Sequence, residues 1–210
     1  LGGTAGRTTL NGEGLQHEDG HSHVLASTVP NLKSYDPAFA YELAIIIREG
    51  IYRMYEQQEN IFYYLTLYNE NYLMPSMPDD AACADGILKG AYCWRRSDCG
   101  GEPVHLMASG SIMQQALAAS EKLQELGYAV HIWSVTSYTE LCREAEACER
   151  HNRLQPLDAE QEPYLRALFS TESGPVIAVS DYMKALPNSI ARWMPKNFTC
   201  LGTDGFGLSE

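Results

Sequence analysis

The sequence predicts an α/β protein: a three-layer, mostly parallel sheet with helices on both faces, preceded by the tail of a second α/β domain. Two observations carry this prediction. Beyond about residue 80, apolar runs of strand length alternate with amphipathic helical segments, and the connections between them are short. Before that point, a strand–helix–strand unit ends in a proline-containing segment. Repeated strand–helix–strand units with short connections favour parallel strands covered on both faces.

The first part of the chain predicts a loop, a strand and a helix. Residues 1–23 show no periodicity and are interpreted as a loop, of a length that is usually functional. Residues 31–35 predict a short strand. Asp36 followed by Pro37 signals a helix start with Asp36 as N-cap, and the helix is predicted over residues 37–56. The apolar face expected to be buried consists of Ala40, Leu43, Ala44, Ile47, Ile51 and Met54.

Residues 61–68 predict a buried strand because they are rich in aromatic and β-branched side chains. The twelve residues that follow, 69–80, contain two prolines and no regular period. Such a break is typical of a boundary between domains. We therefore expect the domain boundary in this segment.

The second part of the chain alternates regularly. The predicted strands are 104–108, 128–135, 175–179 and 198–201, and the predicted helices are 112–126, 138–150 and 181–193. The turn Ser109-Gly110-Ser111 could bind an anion at a helix N-terminus. A steric need for glycine in a tight strand-to-helix connection is the favoured interpretation of that turn.

Composition excludes several classes of protein. The net charge is −12 and there is no basic run, which argues against binding to nucleic acid or to an anionic membrane. The apolar run 43–47 is far shorter than the roughly 18–20 residues of a membrane span. No signal-peptide pattern begins the chain, so we expect a cytoplasmic protein with six free, mostly buried cysteines rather than disulfides.

The densest group of titratable side chains lies in the first loop. Its members are Glu13, His17, Glu18, Asp19, His21 and His23. Histidine can hold or move a proton near neutral pH, and it can also bind metals. The residues alone leave three interpretations open: a catalytic loop, a metal site, for which the spacing is weak evidence, and a solvated acidic loop.

The run LNGEGLQHEDGHSH at residues 10–23, with GGTAGRTT before it, resembles the active-site loop of bacterial, homodimeric-type pyruvate dehydrogenase decarboxylating subunits. These enzymes belong to the transketolase-like, thiamine-diphosphate-dependent family. The resemblance extends over essentially the whole chain. Further matching stretches are 29–31, 34–37, 69–72, 74–78, 109–112, 134–137, 148–150, 181–184 and 201–207.

The resemblance implies two domain pieces. Residues 1–77 would be the tail of the middle, aminopyrimidine-binding domain, and residues 78–210 a transketolase-like C-terminal domain, truncated at its end. The family decarboxylates pyruvate on thiamine diphosphate with Mg²⁺ and transfers the acetyl unit to a lipoyl group on an acetyltransferase partner. The family motif for Mg²⁺ and diphosphate and the glutamate that activates the cofactor are absent, so no cofactor-binding or metal-binding residue is assigned here. This chain alone is expected to bind no cofactor and to be inactive.

Two site residues follow from the resemblance. His17 matches a family histidine that orients pyruvate or moves a proton, and Glu13 matches a nearby active-site acid. His21 and His23 lie where transketolases carry a substrate-contacting histidine, so one of them is expected in the substrate channel. Leu208 departs from the pattern, where a basic residue is usual.

Two alternatives differ in class. One is a stand-alone, non-catalytic interaction or regulatory α/β domain. The intact histidine-rich loop argues against it, because a scaffold has no chemical need for His17. The other is a related 2-oxo acid dehydrogenase or a transketolase proper, from whose pattern the run LQHEDGHSH differs.

Overall fold

The computed structural model describes residues 5–10, 12–14 and 16–204; Leu208 and the end of the 201–207 motif lie outside this part. The helices are Ser22–Ser27 (α1), Ala40–Ile51 (α2), Cys83–Lys89 (α3), Met113–Glu125 (α4), Tyr138–Leu154 (α5), Tyr164–Phe169 (α6) and Ala185–Asn188 (α7). The strands are Leu32–Tyr35 (β1), Phe62–Leu65 (β2), Ala91–Arg95 (β3), Pro103–Ala108 (β4), Ala129–Val135 (β5), Val176–Met183 (β6) and Phe198–Thr203 (β7).

A five-stranded sheet forms the centre of the second part of the chain. Its strand order is β3-β5-β4-β6-β7. β4 is parallel to both β5 and β6, and β6 is parallel to β7, whereas β3 is antiparallel to β5. Each parallel connection passes through at least one helix, as a crossover between parallel strands requires. The predicted mostly parallel sheet is confirmed.

Helices cover both faces of this sheet, so the three predicted layers are confirmed. On one face α5, α6 and α7 pack against strand residues such as Met107 and Trp133. On the other face Met113 of α4 packs against Leu106 and Ile132. Successive residues of a strand point to opposite faces, so Leu106 and Met107 belong to two different cores.

A separate two-stranded parallel sheet joins β1 to β2, with Leu32 opposite Phe62 and Tyr35 opposite Leu65. α2 is the crossover between these two strands. An apolar cluster packs Tyr35 together with Ile87 of α3 and with β3. This cluster fixes the small sheet against the large one. β2 is only half-buried, so the prediction of a buried strand there is wrong.

The start of α2 differs from the prediction. The residue before the first turn is Phe39, and the carboxylate of Glu42 accepts the backbone N–H groups of Ala38 and Phe39 at 2.6 and 3.0 Å. Asp36 is therefore not the N-cap. Its carboxylate accepts hydroxyl groups from other strands and cannot also cap this helix. The predicted end is confirmed, because a π-helical turn continues the helix through Tyr52–Glu56.

The predicted buried face of α2 is also wrong. Ile47 and Ile51 are exposed, whereas Glu42, Ile46 and Gly50 point inward. The helix is apolar on several sides, so spacing alone did not identify the inner face. Glu42 can be fully buried because its carboxylate also accepts the hydroxyl groups of Tyr92 and Ser134, at 2.7 and 2.6 Å.

The end of the chain contains the other large difference. Residues 181–193 were expected to be helical, but β6 continues through Met183, and only Ala185–Asn188 and the 3₁₀ turn Ala191–Trp193 are helical. Asp181 stays in the strand and binds the backbone of the first loop. Three helices and a strand were not predicted at all: α1, α3, α6 and β3.

All six cysteines are free thiols, in agreement with the prediction. Only Cys83 and Cys148 are buried, and Cys99 is exposed, so the expectation that most of these thiols are buried is wrong. Among the described residues, no helix has the length and apolar character that crossing a bilayer would require.

Candidate active site

The carboxyl ends of strands from both sheets meet at Asp36, directly after β1. Its buried carboxylate accepts the hydroxyl groups of Thr66 and Ser109 at 2.6 Å each, and that of Tyr68. Thr66 and Tyr68 follow β2, and Ser109 follows β4. In open α/β sheets, ligands bind beyond the carboxyl ends of the strands. A functional site is therefore expected at this edge.

Gly110 allows these strand ends to approach each other. Its φ is +47°, and a Cβ at this position would lie 2.3 Å from the phenol oxygen of Tyr68. Its backbone N–H donates to the carbonyl oxygen of Asp36 at 3.1 Å. The steric interpretation of the Ser109-Gly110-Ser111 turn is confirmed.

His23 belongs to the same buried network. Its Nε2 lies 3.0 Å from the Thr66 hydroxyl oxygen. Because Thr66 uses its single proton on Asp36, the Nε2 atom of His23 must donate. Burial lowers the pKa of His23, although the nearby Asp36 and Asp19 oppose this effect. His23 is thus a neutral imidazole that supports the network.

Two tyrosines complete the network. The phenol oxygens of Tyr68 and Tyr182 are 3.1 Å apart, and the Tyr182 ring contacts His23 edge-on at a centroid distance of 4.9 Å. Burial, with the negative charge of Asp36, raises the pKa of both phenols well above their ordinary value. Both tyrosines therefore remain protonated donors at neutral pH.

The histidine-rich loop rests on this edge through a second carboxylate, that of Asp181 on β6. It accepts the backbone N–H of Arg7 at 2.7 Å and that of Thr8 at 3.1 Å, and also the Thr8 hydroxyl at 2.5 Å. Asp181 is buried. It supplies the acceptors that the first turn of the 3₁₀ helix Thr8–Leu10 lacks.

The two ends of the loop are held side by side. The Asp19 N–H donates to the Gly6 carbonyl at 3.0 Å, and Arg7 and Glu18 form an ion pair with Nε and Oε2 3.6 Å apart. Just after the loop in sequence, the carbonyl of Gly20 accepts the N–H of Met183 on β6 at 3.1 Å. We call the described residues between 7 and 18 (7–10, 12–14 and 16–18) the His17 loop. It is closed at its base, as in a compact Ω-loop.

The tip of the His17 loop presents Glu13 and His17 to the outside, and both side chains are exposed. Short backbone turns shape the tip: the Glu13 N–H donates to Leu10, and the His17 N–H donates to Gly14 at 3.0 Å. The two predicted catalytic residues thus lie at one end of a closed loop, with their side chains exposed.

The structure separates the two other predicted histidines. His21 is exposed at the residue before α1, whereas His23 is buried in the Asp36 network. Asp19 caps α1 by accepting the N–H groups of His21 and Ser22 at 3.1 and 3.0 Å. His23 therefore has a supporting position, and of these two histidines only His21 is exposed.

Sequence reasoning missed Asp36 and Asp181 as parts of the site. A usable signal existed, since each lies at the end of a strand in a parallel sheet, where functional side chains gather. Asp36 was interpreted as a helix cap, and Asp181 was placed in a helix. Both interpretations considered only neighbours in sequence.

No group of three or more His, Cys, Asp or Glu side chains is arranged to hold a metal ion within residues 5–10, 12–14 and 16–204. The carboxylates of Asp36 and Asp181 also already accept hydrogen bonds from groups of this chain. The residues described here do not fit a binding site for Mg²⁺ and a diphosphate.

Two family models match this chain. A model described as the pyruvate dehydrogenase E1 component middle domain matches residues 1–75, and one described as the transketolase-like C-terminal domain matches residues 90–210. The curated relatives include the pyruvate dehydrogenase E1 components of Pseudomonas aeruginosa and Escherichia coli K12, which are 50% and 47% identical over all of this chain. The chain belongs to the transketolase-like family and is similar to a portion of the pyruvate dehydrogenase E1 components. It spans 24% of the length of those two relatives.

Solved transketolases share the fold. That of Leishmania mexicana superposes with a TM-score of 0.60 at 18% identity over 93% of this chain and 24% of its own. A split-gene transketolase, an inactive beta4 tetramer, gives a TM-score of 0.55 at 15% identity over 97% of this chain and 56% of its own. These likenesses confirm the predicted transketolase C-terminal-like architecture.

Proposed function

We propose that this chain contributes the substrate end of the active site of a pyruvate dehydrogenase, with His17 and Glu13 as the groups that meet pyruvate. The full enzyme would decarboxylate pyruvate and pass the acetyl unit to a lipoyl group on an acetyltransferase partner. The observation that supports this proposal is the closed His17 loop, fixed at the carboxyl edge with both side chains directed outward.

His17 suits the role because its imidazole is exposed on a loop of defined shape. An imidazole can donate a hydrogen bond to a carboxylate or carbonyl of pyruvate, or it can transfer a proton during acetyl transfer. Glu13 lies four residues earlier on the same tip and supplies a carboxylate. His21 is a second exposed histidine of this segment, and we place it in the substrate channel.

Thiamine diphosphate with Mg²⁺ would supply the electron sink for decarboxylation in the full enzyme. The described residues do not form its metal site, so its binding groups belong to other parts of the protein. The inactivity of this portion alone is part of the proposal. We expect no binding of thiamine diphosphate with Mg²⁺ to the isolated chain in calorimetry.

A homodimer is part of the proposal. The outer side of α2 and its π-helical turn leaves Ile47, Ile51 and Tyr55 exposed, and Leu73 in the following segment is 85% exposed. Exposed apolar groups of this size typically mark contacts between proteins. A second copy of the enzyme is the proposed occupant. The strongly acidic chain and the absence of a basic patch support a cytoplasmic enzyme that does not bind nucleic acid.

The test is His17→Ala in the full-length enzyme. Loss of a positioned acid–base group costs about 10²–10⁴-fold in rate, so we expect a fall of this order in turnover with pyruvate and a lipoyl acceptor. Binding of thiamine diphosphate, followed by calorimetry, should change little because His17 lies at the substrate end.

The matched control is His151→Ala, since His151 lies at the far end of α5 beside Asp158. This variant should retain full activity. Full activity of His17→Ala as well would remove His17 from the site. A strong preference for a sugar phosphate over pyruvate in the unmodified enzyme would favour a transketolase instead.

A further inference from the structure

Among the described residues, Glu13 and His17 lie outside any helix or strand, yet catalysis requires side chains held to a fraction of an ångström. The backbone turns within the tip shape the His17 loop, and the buried side chain of Leu10 packs it against the rest of the protein. The base of the loop adds directional hydrogen bonds to this apolar packing. Three features of that base meet on β6.

The first feature is the density of bonds on one carboxylate. Asp181 accepts two backbone N–H groups and one hydroxyl group from Arg7 and Thr8, more than 170 residues earlier in the chain. Hydrogen bonds to a charged acceptor are shorter and about twice as strong as neutral ones. No neutral side chain of the same size offers as many acceptor positions.

The second feature is the close approach of the backbone. Gly6 has φ +81°, and a Cβ on it would lie 2.4 Å from the Asp181 carboxylate and 2.7 Å from the Tyr68 ring. The backbone at Gly6 therefore lies against the Asp181 carboxylate and against Tyr68, which belongs to the Asp36 network. Only glycine permits this approach.

The third feature is that both ends of the loop rest on the same strand. Asp181 holds the entry at Arg7 and Thr8, and Met183 binds Gly20 two residues after the exit. The Gly6–Asp19 bond and the Arg7–Glu18 ion pair join the two ends. Without the bonds to Asp181, the entry would be held by the bond from the Ala5 N–H to the Leu67 carbonyl and by the packing of Leu10.

We propose that Asp181 is a positioning residue for the active site: it fixes the base of the His17 loop, and through it the location of Glu13 and His17. This inference rests on the proposed function for the catalytic role of His17, but not for the anchoring itself. Asp181 need not touch substrate. Its effect is transmitted by the backbone of residues 7–18.

The main test is Asp181→Asn in the full-length enzyme. The amide replaces one acceptor oxygen by an NH₂ group, which faces N–H and O–H donors and repels them. Amide hydrogen exchange should become faster in peptides covering residues 5–20 and stay unchanged in those covering β4 and β5. The value of kcat/KM for pyruvate should fall about 10- to 100-fold, as expected for a displaced catalytic group.

A double-mutant cycle separates positioning from general damage. If Asp181 acts through His17, Asp181→Asn should cost much less activity in a His17→Ala background than in the unmodified enzyme. Asp85→Asn, which alters an exposed ion pair with Lys89 on α3, is the matched control and should change neither exchange nor activity.

Thr8→Val provides a milder variant should Asp181→Asn fail to fold. It removes the hydroxyl donor to Asp181 but keeps both backbone bonds, so it should change exchange and activity in the same direction and by less. Unchanged exchange over residues 5–20 in either folded variant overturns the anchoring. Faster exchange combined with fully additive activity losses overturns the transmission to His17. Wild-type activity of His17→Ala alone would instead defeat the proposed function, while the exchange result still decides the anchoring.

Discussion

The interior of the five-stranded sheet and the edge where the two sheets meet are stabilised by different means. In the interior, side chains such as Ile132 and Met107 are fully buried among apolar neighbours. At the edge, Asp36 and Asp181 are also buried, but the carboxylate of Asp36 accepts hydroxyl groups and that of Asp181 accepts backbone N–H groups and a hydroxyl group. Apolar packing tolerates small changes of volume, whereas a buried carboxylate and its donors depend on each other.

The comparison shows why the edge can carry a functional site. Apolar contacts are not directional, so they hold layers together without defining where a loop must lie. Hydrogen bonds to a carboxylate fix distance and direction. The hydrogen bonds at the edge thus fix the position of the loop, although they require buried carboxylates. The apolar interior supplies the stability that offsets this burial.

The largest expected effect comes from Asp36→Ala. It would leave the hydroxyl groups of Thr66, Tyr68 and Ser109 without their acceptor, and an unpaired buried polar group costs about 1–3 kcal/mol. We expect a loss of at least about 3 kcal/mol in the free energy of unfolding, measured with urea. A loss no greater than that of the exposed Asp85→Ala would contradict the description of this edge.

A smaller effect is expected in the sheet interior. Ile132→Val removes one methylene group from a fully buried side chain, which typically costs about 0.5–1.5 kcal/mol. The same urea measurement applies, and Leu157→Val, at a 99% exposed side chain, is the control. If Ile132→Val were as damaging as Asp36→Ala, the proposed difference between the two regions would not exist.

The smallest expected effect concerns pH and sharpens the comparison. Burial lowers the pKa of His23 at the edge and of His131 on β5, where His105 adds to the effect. A lowered pKa in the folded state means that unfolding takes up protons. Stability is therefore complete above the unfolded value of about 6.5 and decreases as pH falls below it.

Urea midpoints between pH 7.5 and 5.5 measure this dependence. His23→Gln should reduce the slope more than His131→Gln, because His23 is almost inaccessible and His131 is partly exposed. Equal slopes in His23→Gln and the unmodified chain would mean that His23 is not the neutral donor described here.

Local patterns predicted much of the large sheet. Four of its five strands and two of its main helices are recognisable because each is long enough to show its period, and short connections imply parallel pairing. β3 was missed because it is antiparallel, lies at the sheet edge and follows a short helix. The inner face of α2 was misassigned because Ile45, Ile46 and Ile47 leave its apolar side ambiguous.

The sequence by itself determined the fold class, the family and the candidate residues Glu13 and His17, because these depend on composition, spacing and a recognisable run of residues. Only the tertiary structure decided that Asp36 and Asp181 hold the edge, and that His23 is buried in it whereas His21 is exposed. The physical reason is distance along the chain: Asp181 meets its partners across more than 170 residues, and a carboxylate binds whichever donors the fold brings to it.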